Sequence, residues 1–327
     1  MRAVLVAVGL ALASITGSFA LACTLSAIEE WPVRLERNFL VVDGAVNGQR
    51  AGVLLDTGST RTMMLRSAAQ RLNLPLQRAR NYRMFGVGGE TAVEAVRIDF
   101  SVGKSVRTAW QILVAGEHDF GAGIDIVLGE DFLRAAEVEF DLAHGVVRLF
   151  QAKDCGNASL AYWASEGAGE VTIGRIDDSR PQILVPVRVN GQPIEALLDS
   201  GAPFSIMTRR NAELAGVTPD TAGVVVGKGR GLGSRSIDTW VGPIDSFAIG
   251  NENIRDTAIL FGDLFRGATY VETGSRLPRP VEGLPQMLLG VDFLRSHRVL
   301  VAHSQSKLYF SYVSGPVFQS RGALRLR

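Results

Sequence analysis

Apolar residues along this chain come in short runs broken by Gly, Asn, Pro or Asp, as in "GVLLDTGSTRTMM" (52–64) and "IEALLDSGA" (194–202). Runs of four to six residues bounded by turn signals predict strands, and runs without polar alternation predict strands buried on both faces. No segment shows the periodicity of a long amphipathic helix, so the pattern predicts a mostly β protein. The N-terminal run differs. "MRAVLVAVGLALASITGSFALAC" has one basic residue at Arg2, an apolar stretch to about Ala13, and small residues ending in Ala20-Leu21-Ala22. That order predicts a secretory signal over residues 1–22; as a retained anchor the stretch is short for a span. The mature protein is expected outside the cytoplasm, in a bacterial periplasm.

The pattern also repeats. Residues 47–59, "NGQRAGVLLDTGS", match residues 190–202, "NGQPIEALLDSGA", at an offset that pairs Asp56 with Asp199. In both copies Asn-Gly predicts a tight hairpin turn, and Val53-Leu54-Leu55 or Ala196-Leu197-Leu198 a buried strand. Downstream, "IVLGEDFLRAAEVEFDLAHGVVRLF" from Ile126 matches "MLLGVDFLRSHRVLVAHSQSKLYFS" from Met287. Each is an apolar run into Gly, one variable residue, then Asp-Phe-Leu-Arg, predicting a short helix and two strands. The second copy is longer, and the extra residues are expected as a surface loop in "GDLFRGATYVETGSRLPRPVEGLPQ" (262–286). Between these landmarks each copy holds a glycine-rich hairpin, "MFGVGGE" (84–90) and "GKGRGLGSRS" (227–236), neither with phosphate-loop spacing. The chain therefore divides into residues 23–160 and 161–327.

Composition narrows the chemistry. The 327 residues are 46% hydrophobic and 20% charged, enough for a large core. Lys and Arg total 34 against 33 acidic residues, without a basic run, which argues against a nucleic-acid partner. His118, His144, His297 and His303 lack metal-ligand spacing, and His297 and His303 are expected at the surface; no metal or cofactor is implied. No G-x-S-x-G element is present for a serine hydrolase. The two cysteines, Cys23 and Cys155, have two readings: a disulfide closing a long loop, or lipidation of Cys23, which follows "ALA". The presence of Cys155 favours the disulfide.

Taken together, the doubled Asp-Thr/Ser-Gly, the doubled hairpin and the doubled apolar-Gly element resemble two retropepsin-like units, the retroviral-type aspartic protease fold, fused in one chain. The matching elements are Leu54-Leu55-Asp56-Thr57-Gly58, Gly86 to Gly89, and Val127-Leu128-Gly129; then Leu197-Leu198-Asp199-Ser200-Gly201, Gly229 to Gly233, and Leu288-Leu289-Gly290. The resemblance covers about Pro32 to Tyr312. It implies two β-barrel units forming a pepsin-like bilobal pseudo-dimer, with Asp56 and Asp199 as a catalytic pair. Thr57, Gly58, Ser59, Ser200 and Gly201 would support them. Gly86, Val87, Gly88, Gly89, Gly229, Gly231, Leu232 and Gly233 would form flaps.

Paired carboxylates share a proton, so the ionised one can activate a water while the protonated one binds the peptide carbonyl. A Ser59 hydroxyl donating to Asp56 would make Asp199 the proton carrier. The implied function is an exported aspartic endopeptidase acting on a peptide or protein as a monomer. Pro203 and the basic second hairpin (Lys228, Arg230, Arg235) leave open a peptide-binding module with little or no turnover. The basic tail "QSRGALRLR" reads as a frayed terminus or a partner contact.

Overall fold

The computed structural model describes residues 23–79, 84–116, 118–121, 123–174, 181–265, 269–271, 278–280 and 283–320. The expected signal over 1–22 and nearly all of the basic tail lie outside them.

Each half closes a six-stranded barrel. In the first, strands Phe39–Val46, Gln49–Leu55, Ile124–Leu128, Met63–Leu65, Ser105–Ala115 and Glu94–Val102 pair in that order, and the last returns to the first. In the second the same cyclic order runs Leu184–Val189, Gln192–Leu198, Met287–Leu289, Ile206–Thr208, Glu252–Gly262 and Ile237–Ile249. The first two strands of each barrel join through the expected two-residue turn. Asn47 and Gly48 have φ of 48° and 77°, and Asn190 and Gly191 have 48° and 81°, the positive pair that Asn-Gly tolerates.

The apolar-Gly strands explain why those runs carry no polar alternation. Ile124–Leu128 lies between Gln49–Leu55, to which it is parallel, and Met63–Leu65, to which it is antiparallel. Met287–Leu289 sits identically between Gln192–Leu198 and Ile206–Thr208. Each is wholly buried and apolar on both faces, except that Asp125 in the first accepts the Gly52 N–H at 3.0 Å and pairs with Arg71. Each thereby fills the opening of the loop that carries the Asp.

A third sheet belongs to both halves. Its order is Thr24–Pro32, Val146–Lys153, Glu137–Asp141, His297–Ala302, Lys307–Tyr312, Gly169–Thr172. The halves meet at its centre, where Val138 faces Val301 and Phe140 faces Val299. The connecting segment after Cys155 packs on this sheet through Leu160, Ala161 and Trp163. Arg298 from the second half donates to Glu139 of the first at 2.6 Å and stacks on Tyr162 and Trp163. At the sheet's outer edge Cys23 and Cys155 are joined as a disulfide.

Two expectations change. His297 is buried rather than exposed: it stacks on Phe293, and its Nε2 lies 2.9 Å from Glu252. His303 is also mostly enclosed. Both follow the Asp-Phe-Leu-Arg helix into the shared sheet, where a second layer of chain covers them. The inserted segment at 262–286 is more than a loop, since Thr269–Val271 pairs with Pro278–Pro280. No helix among the described residues is long and apolar enough to cross a membrane.

Candidate active site

The Asp56 and Asp199 loops are built alike. Each strand ends at its Asp, whose backbone N–H donates to the threaded strand: Asp56 to the Leu128 carbonyl at 3.0 Å, Asp199 to that of Leu289 at 2.9 Å. The turn then folds back on the carboxylate. Gly58 and Ser59 N–H groups both donate to Asp56 Oδ1 at 2.9 Å, and the Gly201 N–H donates to Asp199 Oδ1 at 3.0 Å.

The two loops interlock. The Thr57 hydroxyl donates to the Leu198 carbonyl at 2.7 Å and accepts from the Ser200 N–H at 3.0 Å. Reciprocally, the Ser200 hydroxyl donates to the Leu55 carbonyl at 2.8 Å and accepts from the Thr57 N–H at 3.0 Å. All four bonds are buried, where an unmade one is costly. These hydroxyls tie loop to loop rather than touching the carboxylates themselves. The interlock sets the approach of the acids. A Cβ on Gly58 would stand 2.4 Å from Asp199 Cγ, and one on Gly201 would stand 2.3 Å from Asp56 Cγ. Only glycine admits that approach.

Gly58 packs against the Asp199 carboxyl and Gly201 against that of Asp56, so the two acids lie close enough to share a proton. Burial pushes Asp56 up to about 6, against the opposing pull of its hydrogen bonds from Asp199, Ser59 and Gly58. Asp199 is raised well above the usual range, by burial and by the negative charge of Asp56. Burial and the neighbouring charge thus favour one proton shared by the pair. The expected contact from the Ser59 hydroxyl is not made. The Ser59 hydroxyl turns outward to the Arg61 carbonyl at 2.8 Å, and the Ser59 backbone amide serves Asp56 instead.

The two hairpins meet each other. Met84–Gly86 and Gly89–Thr91 form the first, with Val87 and Gly88 at its tip; Val225–Gly229 and the start of Ile237–Ile249 flank the second. Gly233 N–H donates to the Val87 carbonyl at 3.0 Å, and Arg235 N–H to the Gly88 carbonyl at 3.2 Å. Each tip crosses to the opposite half. Val87 packs with Ile237 and Leu264 of the second, while Leu232 lies against Gly86 and Gly116 of the first. A Cβ on Gly231 would meet Val87, one on Gly233 would meet Gly88, and one on Gly89 would meet Arg235. Gly229 belongs to the strand leading to the tip, packed against Thr239 and Ile237.

A second symmetric pair has no role in the sequence reading above. Asp131 Oδ1 accepts from Thr62 N–H and hydroxyl, each at 2.7 Å, and the Thr62 hydroxyl receives the Gly129 N–H at 3.1 Å. Asp292, Ser205 and Gly290 repeat the arrangement at 2.8, 2.6 and 2.9 Å. Burial raises Asp292 to about 6. These residues clamp the threaded strand to the far end of each Asp loop. The signal was the repeated Gly-x-Asp-Phe-Leu-Arg itself. Among the described residues no group of His, Cys, Asp and Glu side chains is arranged to hold a metal ion.

A sequence model of a family described as Aspartyl protease matches residues 42–132 and 185–293, once in each half. The chain belongs to the aspartyl protease family. The two matched regions of this aspartyl protease contain Asp56 and Asp199 respectively. Part of the chain, 134 residues or 41% of it, is 29% identical to DNA damage-inducible protein 1 of Kluyveromyces lactis, and that match spans 27% of the relative's length. Among solved structures, the aspartic proteinase from Irpex lacteus aligns with a TM-score of 0.50 at 13% identity, over 88% of this chain and 98% of that one. That likeness concerns the bilobal fold. The resemblance to retropepsin-like units and the mostly β, pepsin-like architecture read from the sequence both hold.

Proposed function

We propose that this aspartyl protease is an active endopeptidase that hydrolyses peptide bonds with a water activated by Asp56 and Asp199 in one site. The observation that carries the reading is the reciprocal Thr57–Ser200 interlock, which brings one carboxyl from each half together. Asp56, the more acidic, acts as general base on water. Asp199 keeps its proton and donates it to the peptide carbonyl as the tetrahedral intermediate forms. The hairpin tips cover the site and pair with an extended peptide backbone. Each half contributes one acid, so the chain acts as a monomer. The leader-like residues 1–22 and the disulfide support export into an oxidising compartment.

The test is cleavage of a diverse peptide pool from pH 3 to 8 by the mature protein, with Asp56→Asn and Asp199→Asn alongside. Loss of cleavage in either variant is expected. A folded protein that cuts nothing at any pH transfers the reading to a peptide-binding module.

A further inference from the structure

Behind the Asp56 loop lies a second acidic group that the hydrolytic chemistry does not use. Glu130 is fully buried, and its backbone N–H donates to the Ser59 carbonyl at 2.8 Å. The corresponding position in the second half is Val291, also fully buried, whose N–H donates to the Ala202 carbonyl at 2.9 Å. The backbone frame is thus the same, and an apolar side chain suffices for it. Glu130 instead places Oε2 3.3 Å from His303 Nε2 of the other half, while Oε1 is buried with no hydrogen-bond partner among the described residues.

His303 Nδ1 stands 2.8 Å from the Ala136 carbonyl. A carbonyl only accepts, so Nδ1 carries a hydrogen and the tautomer is set. Whatever further proton the pair holds therefore lies between Nε2 and Oε2, as imidazolium and carboxylate or as imidazole and carboxylic acid. Either way the pair is neutral overall. When that proton leaves, one negative charge remains behind Asp56. The other charged groups around Glu130 are Asp131 and Arg134 on its own helix and Asp56 above it, with Glu137 nearby on the following strand, accepting from Ser304 N–H at 3.3 Å.

We propose that Glu130 and His303 form a second proton-sharing pair that acts through the Asp56 loop as a positioning element, extending toward higher pH the range over which the catalytic dyad keeps its single proton. The inference deepens the protease reading and rests on it for its functional meaning. The electrostatic direction agrees: the Glu130 charge favours the protonated form of Asp56. The device is one-sided, because Val291 gives Asp199 no counterpart.

The test is carboxyl 13C NMR titration of aspartate-labelled full-length mature protein from pH 3 to 9, with Asp56 and Asp199 assigned by their Asn variants. Glu130→Gln keeps the shape, and Glu130→Val copies the residue tolerated at 291 should the first variant fold poorly. The second proton-loss step of the dyad is expected to move to lower pH, by on the order of half a pH unit, with the first step, where the pair is neutral, little changed, and the alkaline limb of the cleavage profile on the peptide pool to move with the second step. A second step that stays in place or moves upward in a folded variant overturns the proposal. A shifted titration in a protein that cleaves nothing keeps the pair and removes the protease reading, so the two fail separately.

Discussion

The Val87 carbonyl accepts the Gly233 amide at 3.0 Å, so the hairpins of the two halves are latched tip to tip. On the protease reading a peptide must part this latch to enter. Gly233→Val puts a side chain where Gly88 now stands, since its Cβ would lie 2.3 Å from the Gly88 carbonyl carbon. The expected result is faster hydrogen exchange at the amides of residues 233 and 235 and a KM for peptide lowered on the order of tenfold, about 1.4 kcal/mol of latch that no longer has to be parted. Unchanged exchange at both amides would show that the tips are not held by this contact.

Removing a hydroxyl from the interlock leaves buried partners unpaired. Thr57→Val and Ser200→Ala are each expected to lower stability by about 1–3 kcal/mol. Because the bonds cross between halves, the double variant should cost less than the sum of the singles. Denaturant melts of all four proteins check this double-mutant cycle; strict additivity would mean that the two hydroxyls act independently.

Acidity and stability are linked with a definite sign. Asp56 and Asp292 sit near 6 and Asp199 is raised well above its ordinary value, all above the roughly 3.9 of an unfolded aspartate. The native state therefore binds more protons than the unfolded chain above about pH 4. The contribution of these groups is complete below that pH and is lost as pH rises through 6. Asp199→Asn removes a buried charge conflict, so it is expected to inactivate the protein yet raise its stability at pH 7 by on the order of 1–3 kcal/mol, with little gain at pH 4. Thermal melts at the two pH values check it, and an equal gain at both would sink the linkage.

The disulfide lies at the edge of the shared sheet, away from the acidic pair. Replacing both cysteines with serine is expected to lower stability by about 2–5 kcal/mol while leaving the rate of peptide cleavage at 25 °C unchanged. Rates and melts of the double variant test both halves of the statement.

What could be read from the chain follows a physical divide. The buried strands at Leu54-Leu55 and Leu197-Leu198, the Asn-Gly turns and the two Asp motifs are local features, and their repetition carried the symmetry. Contacts between halves were illegible. Nothing in "GKGRGLGSRS" says that Leu232 reaches Gly116, and His303 looked superficial because the layer that covers it lies far away in sequence. Glu130 was hidden for another reason: it occupies the one variable position of an otherwise repeated motif, so the comparison that exposed the repeat also discounted it. The Ser59 hydroxyl misled because residue type does not reveal which way a turn side chain faces.

The shared sheet also has a history in time. Residues 137–141 leave the ribosome well before their partners at 297–302, so for roughly ten seconds at 5–20 residues per second the nascent first half presents a bare apolar edge, Val138 and Phe140. Two nascent chains side by side could satisfy those edges with each other before the second half arrives. A neighbouring copy is then the natural competitor of the chain's own second half, and slower elongation beyond residue 160 favours the wrong pairing.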